Sequence, residues 1–348
     1  MRTSNYSLTD LGFSAYFLSQ LGLDELGHLL PMRIVEVQRD RLTALGENGP
    51  LEVALTADAP AGNIAVGDWI LIDAEHSLVR LLVPKSSLRR RAAGTDASVQ
   101  LIANNVDTLF IVTSCNADFN EARIERYLAL SNEAEVTPVV LLTKTDLSNE
   151  VTELQAKAEK LMQYLSVVPL NATEPNVATK LEQWCGPGQT IALLGSSGVG
   201  KTTLLNALTG DSMETQGVRE GDAKGRHTTT FRAMRPITQG GWVIDTPGMR
   251  ALRLHDSEEG IDAVFDEIIQ AASRCRFTDC SHETEPGCAV QKAISQGVLD
   301  VERLDRWRKL QREDRHNTQS IAQARKRDKQ FGKMINEVVK TKQRDKGH

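Results

Sequence analysis

One stretch constrains this chain more than any other. Gly195-Ser-Ser-Gly-Val-Gly-Lys-Thr202 fits the pattern G-x-x-x-x-G-K-[ST] in full. The apolar run "QTIALLG" leads into it and "GKTTLLNALTG" follows, ending at Gly210. A glycine-rich turn between a strand and a helix requires an α/β sheet to hold both. Its glycines let backbone N–H groups turn inward around an anion, and the helix aims its positive N-terminal end at the same point. The pattern assigns Lys201 to the β- and γ-phosphates of a nucleotide and the Thr202 hydroxyl to Mg²⁺.

The surrounding sequence supplies the rest of such a sheet. "DTLFIVTS", "TPVVLLTK" and "GGWVIDTPG" read as buried strands, and "NEARIERYLALSNEA" and "NEVTELQAKAEKLMQYL" have helical spacing. Alternation of this kind predicts a mainly parallel sheet. Asp245-Thr-Pro-Gly248 ends one strand: Asp245 is the candidate carboxylate that reaches Mg²⁺ through water, and the Gly248 N–H the candidate γ-phosphate sensor. Between the two motifs lies "GDAKGRHTTTF", where Thr228, Thr229 and Thr230 are equal candidates to complete the Mg²⁺ shell. Thr143-Lys-Thr-Asp146 follows the strand "PVVLL". A carboxylate here accepts from the N1–H and 2-amino group of guanine, which adenine lacks, and the Lys144 stem packs over the base. The usual first residue of this loop is Asn, which ties it to the phosphate loop, so Thr143 is expected to loosen nucleotide binding. Asn171-Ala172, in "PLNATE", stands where a second base-contacting loop belongs.

These motifs run in the order base loop, second base loop, phosphate loop, Thr loop, Asp-Thr-Pro-Gly. That is a circular permutation of the GTPase order. The strands can keep their places in the sheet while the chain ends move.

The ends carry other material. "TDLGFSAYFLSQLG" reads as one helix starting near Thr9 or Asp10, inside a capping segment, 1–31. "RIVEVQ", "RLTALGE", "LEVALTA", "DWILIDA" and "LVRLLV" are short alternating runs parted by turn residues, which predicts an OB-type β-barrel over 32–92. Trp69 is the one aromatic there, too few for a base-stacking platform. Pro84 to Ser98, "PKSSLRRRAAGTDAS", reads as a linker; Lys85, Arg89, Arg90 and Arg91 either meet phosphates or are merely exposed. The permuted domain spans 93–256. A helical zinc-binding domain with a basic tail completes the chain at 257–348.

Cys275, Cys280, His282 and Cys288 fall within 14 residues. Three thiolates and an imidazole make a complete tetrahedral set for structural zinc, with no position open for catalysis. No apolar run is long enough to span a bilayer, and "MRTSNYSLTD" lacks a secretory signature, so the chain is expected to be cytoplasmic. The formal charge of −5 hides an asymmetry: residues 301–348 hold 15 Lys+Arg against 7 Asp+Glu. A basic end on an acidic body predicts either a polyanionic partner or a solvated helix surface. No heptad seam calls for a dimer, and a monomer is expected.

With these pieces the chain resembles the bacterial ribosome small-subunit-dependent GTPase A family. The resemblance rests on "NNVDTLFIVTS", "TKTDL", "GSSGVGKTTLLNAL", "GRHTTT", "DTPGMR" and the C-x4-C-x-H-x5-C cluster. It implies guanine contacts from Lys144 and Asp146 within the loop Thr143, Lys144, Thr145 and Asp146. It implies phosphate and Mg²⁺ contacts from Gly195, Ser196, Ser197, Gly198, Val199, Gly200, Lys201, Thr202 and Thr203, and zinc on Cys275, Cys280, His282 and Cys288. It further implies GTP hydrolysis, binding to the small (30S) ribosomal subunit with its 16S rRNA, and a role in late maturation of that subunit. The competing reading is an RNA-binding zinc and OB protein whose GTP site is a non-catalytic switch.

Ras-like enzymes follow the switch glycine with a Gln that orients water; here Met249 stands there and cannot. Slow hydrolysis, accelerated by a partner, is therefore expected. His227 is the nearest candidate to position water, or else a plain surface residue.

Overall fold

Gly12 decides the shape of the amino-terminal segment. In the computed structural model, which describes residues 6–38, 41–54, 64–91, 99–116, 118–211, 233–245, 254 and 256–319, Gly12 sits at φ 89°. A Cβ there would lie 2.7 Å from the Gly188 carbonyl oxygen. The helix expected from Thr9 is therefore cut down to α1 (Ala15–Leu18). Phe13 and Phe17 pack on Trp69, and the Trp242 indole N–H donates to the Asp10 carbonyl at 2.8 Å.

β1 (Leu30–Val37), β2 (Arg41–Gly46), β3 (Gly49–Ala54), β4 (Trp69–Ile72) and β5 (Leu78–Leu81) pair antiparallel in the order β3-β2-β1-β4-β5. Their alternation sorts side chains onto two faces. Met32, Ile34, Leu42, Ala44, Val53, Ile70 and Ile72 form a small separate core, against which Leu51 of β3 and Leu78 and Leu81 of β5 also pack. Val35, Trp69 and Leu71 face the main core instead. The strand count matches the five alternating runs, but among the described residues no ladder joins β3 to β5, so the sheet is open and not a closed barrel.

The stretch read as a linker holds a strand. β6 (Ser87–Arg91) pairs antiparallel with β7 (Val99–Asn104). Its basic composition hid the alternation that buries Leu88.

The large sheet follows. β8 (Thr108–Ser114), α2 (Glu121–Glu133), β9 (Thr137–Thr143), α3 (Val151–Glu159), β10 (Ser166–Pro169), α4 (Val177–Lys180), α5 (Glu182–Cys185), β11 (Thr190–Leu194), α6 (Lys201–Thr209), β12 (Ala233–Pro236) and β13 (Trp242–Asp245) come in chain order. β10, β9, β8, β11 and β13 lie side by side and parallel. β12 runs antiparallel at β13 and joins β1 through Glu36 and Ala233. The central strands are buried on both faces, hence their unbroken apolar runs. Leu109 and Ile111 of β8 face Leu128 of α2 in the main core. Phe110 and Val112 face Leu204, Leu205 and Leu208 of α6 in a second core. Neighbouring strands β8 and β11 thus send their helices to opposite sides, which opens a crevice at their carboxyl ends.

α7 (Glu258–Val264), α8 (Asp266–Ala272), α9 (Ala289–Ser295) and a last helix, α10, over residues 301 to 319 complete the described chain. α10 lies against α2. Arg303 donates to buried Glu125 at 2.6 Å and Arg306 to the same carboxylate at 2.8 Å. Arg306 also pairs with Glu121 at 3.0 Å, and Arg126 with Glu313 at 2.5 Å.

Candidate nucleotide site and metal cluster

The crevice collects the loops that the chain order had separated. The phosphate loop leaves β11 at Gly195, where φ is 157° and a Cβ would meet the Val112 carbonyl oxygen of β8 at 2.2 Å. Only glycine fits against the neighbouring strand. Beyond the loop, α6 starts at Lys201. The Lys201 ammonium folds back over the loop, donating to the Gly195 carbonyl at 2.8 Å and to the Ser196 carbonyl.

Thr143 ends β9 and is fully buried. Its hydroxyl lies 2.6 Å from the Val199 carbonyl and 3.2 Å from the Thr113 carbonyl, so its one proton goes to the nearer, in the phosphate loop. This is the tie that an Asn makes in the usual loop. Thr143, though it departs from Asn, thus also ties its loop to the phosphate loop, through the Val199 carbonyl. Lys144 then takes a left-handed conformation at φ 57°, turning the chain into a short 3-10 turn, Thr145–Leu147, that presents Asp146 to solvent. At the end of β10 the Asn171 carboxamide oxygen accepts from the Thr173 N–H at 3.0 Å and hydroxyl at 2.7 Å, and Ala172 packs in the same core as Val199.

β13 delivers the Asp245 backbone to this edge of the sheet, parallel to β11. Gly248, Met249, His227 and Thr228 to Thr230 lie outside the described residues.

One side chain at the loop was missed. Asp118, after β8, accepts the Ser196 hydroxyl at 2.6 Å. Its signal was positional: β8 adjoins the phosphate-loop strand, so the loop after β8 must face the phosphate loop.

The second cluster sits between α8 and α9. One ligand atom each from Cys275, Cys280, His282 and Cys288 lie within 4.8 Å of one another. His282 Nδ1 is 3.6 Å from both the Cys275 and Cys288 sulfurs, which are 3.9 Å apart. Tetrahedral zinc with bonds of about 2.3 Å to sulfur and 2.0 Å to nitrogen has ligand edges of roughly 3.5–3.8 Å, so the group could hold such an ion. The Ala289 N–H points at the Cys275 sulfur and the Gln291 N–H at that of Cys288. Burial, and then the Arg308 guanidinium, hold His282 below its ordinary pKa, which keeps the ring neutral and able to ligate. Arg308 also donates to the His282 carbonyl at 2.8 Å, anchoring the cluster to α10.

Comparison with known proteins agrees with this geometry. The family described as RsgA GTPase matches residues 82–255. The chain is 53% identical to the small ribosomal subunit biogenesis GTPase RsgA of Mesorhizobium japonicum, over 90% of this chain and 92% of that protein. It is 46% identical to small ribosomal subunit biogenesis GTPase RsgA 2 of Vibrio vulnificus, over 97% of each. Among solved structures it is similar to YjeQ from Thermotoga maritima, with a TM-score of 0.61 and 24% identity over 81% of this chain and 97% of that one. It is similar to YloQ, a circularly permuted GTPase, with a TM-score of 0.59 and 24% identity over 86% and 96%. The mixed sheet is thus that of a circularly permuted GTPase.

Proposed function

The chain belongs to the RsgA GTPase family, and from that premise we propose that it hydrolyses GTP while bound to the small (30S) ribosomal subunit, which stimulates hydrolysis and whose late maturation it assists. One observation carries the site: the Thr143 hydroxyl joins the base-reading loop to the phosphate loop at Val199. Two motifs in permuted order thereby make one pocket edge.

In this reading Asp146 accepts from guanine and Lys144 covers the base. Backbone N–H groups of Gly195 to Thr203 receive the phosphates, and Lys201 neutralises them. Thr202 and one of Thr228, Thr229 and Thr230 would hold Mg²⁺, with Asp245 reaching it through water; when bound, the ion offsets the charge that builds on the phosphate oxygens. The Gly248 N–H senses the γ-phosphate, and His227 is the candidate to orient water. Met249 has no hydrogen-bonding group for that task, so the isolated protein is slow. A subunit-driven acceleration of ~10³-fold corresponds to about 4 kcal/mol of barrier. Ordering the Thr loop and excluding water are effects of that size.

The cysteine cluster holds one structural zinc, supported by its edge lengths and its closed ligand set. The unit 32–92 is read as an OB-type fold left open, among the described residues, between β3 and β5; a shared core beneath both edge strands supports that reading. It is followed by the GTPase domain, 93–256, and the zinc domain, 257–348, with 1–31 as an extension. The protein acts in the cytoplasm as a monomer on 16S rRNA. No helix among the described residues is long and apolar enough to cross a membrane.

The test is the GTPase rate with and without purified 30S subunits, beside Asp146→Asn. The proposal expects strong stimulation, and a shift in Asp146→Asn from guanine toward xanthine nucleotides. GTP binding with no hydrolysis in either condition would mean a non-catalytic switch.

A further inference from the structure

Asp118 makes more contacts than a surface loop residue requires. Its Oδ1 accepts from the Ser196 hydroxyl at 2.6 Å, and the Arg123 guanidinium lies 3.0 Å from the same oxygen. Its Oδ2 lies 3.3 Å from the Thr113 hydroxyl, and its backbone carbonyl also accepts from Arg123. The Asp118 N–H donates to Asn116 Oδ1 at 3.0 Å. Both carboxylate oxygens and both backbone polar groups are engaged, so the side chain has one orientation. A carboxylate beside an anion-binding loop would by itself repel phosphate. Arg123, in the first turn of α2, cancels that charge. Glu121 and Glu125, which hold α10, flank Arg123 on the same helix.

The consequence falls on Lys201. Its ammonium is held by the carbonyls of Gly195 and Ser196, the limb whose one side-chain hydroxyl Asp118 grips. Rotation of that limb would carry both carbonyls, and the ammonium with them, away from the loop mouth. We infer that Asp118 is a positioning residue of the GTP site: it fixes Ser196, and through Ser196 the Lys201 ammonium, with Arg123 removing the cost of its charge. The inference rests on the phosphate-loop reading of Gly195 to Thr202.

The experiment is equilibrium binding of a fluorescent GTP analogue to the full chain, with thermal melting alongside. Asp118→Ala and Ser196→Ala should each weaken binding roughly tenfold, as loss of a hydrogen bond to a charged group does. Because both break one contact, the double variant should be no weaker than about twofold beyond either single. Asp118→Asn keeps an acceptor for Ser196 and should stay within about threefold of the wild type. Ser196→Ala removes only a hydroxyl, so its result stands even where Asp118→Ala melts early. The inference is overturned by any of three results: Ser196→Ala binding like the wild type, single losses that multiply to ~100-fold in the double, or Asp118→Asn as weak as Asp118→Ala. Lys201→Ala separates the two readings. If it binds GTP normally, the phosphate-loop assignment fails; if it does not, the Asp118 variants judge Asp118 alone.

Discussion

Thr143 illustrates how much one side chain decides. The residue differs from the usual Asn, and identity alone predicts a looser loop. Yet the hydroxyl reaches the Val199 carbonyl at 2.6 Å from a wholly buried position. Removing it would leave that carbonyl without its donor, which costs about as much as a lost hydrogen bond. Thr143→Val, which keeps the shape, should therefore weaken GTP binding about tenfold, whereas Thr143→Ser should keep most of it. Titration with GTP reads both; equal affinity in all three proteins would remove the tie from the account of the site.

At the scale of the element, α10 departs from the reading of the basic end for some of its arginines, while 320–348 lie outside the described residues. Charge counting sent its arginines toward a polyanion or toward solvent. Arg303 does neither: it is 7% exposed, lies 4.2 Å over the Phe265 ring, and donates to Glu125, Glu267 and the carbonyls of Leu161 and Val264. Arg306 shares Glu125, and Arg308 holds the cysteine–histidine loop. These arginines fold the carboxyl-terminal helices onto α2. Glu125 is fully buried, so removing Arg303 leaves its charge in a poor solvent with Arg306 as its remaining cation. Arg303→Met should cost about 3 kcal/mol in urea unfolding, and Arg303→Met with Glu125→Leu should recover part of it. A single-variant cost under about 1 kcal/mol would mean that α10 is held by its apolar contacts instead.

At the scale of the whole molecule, one buried junction joins the amino-terminal segment, the five-stranded unit and the large sheet. Arg33 of β1 is wholly buried and donates to the carbonyls of Leu11, Gly67 and Asn105. Burial pushes it down to about 10, so it stays charged at neutral pH. Beside it Asp68 accepts from the Ala65 N–H and from the Asn104 carboxamide, both at 2.7 Å. Burial outweighs these bonds and the charge of Arg33, and holds Asp68 up at about 6. An acid whose folded value lies above its unfolded one binds more protons when folded. Its contribution is full below about pH 4 and is lost as pH rises through about 6. Asp68→Asn cannot ionise. The unfolding free energy of the wild type relative to this variant should thus fall by up to about 3 kcal/mol between pH 4 and pH 7. A difference that stays flat across that range would contradict the junction as described.

By itself the sequence determined the class of the large sheet and the places of the glycine-rich loop, the displaced Thr-Lys-Thr-Asp loop and the cysteine cluster. Each follows from local rules: apolar period, glycine at a turn, and ligand types at close spacing. Five short strands were legible for the same reason, but whether their edges meet was not, because closure depends on curvature and not on alternation. The β6–β7 hairpin was hidden, since a basic run conceals one buried leucine. Only the tertiary structure decided the tie at Thr143, the grip of Asp118 on Ser196, and the inward turn of Arg303. In each, a polar group's role is set by a partner 56, 78 or 178 residues away in the chain. A side chain's polarity is written in the sequence, but the atom that satisfies it is chosen when distant segments are buried together.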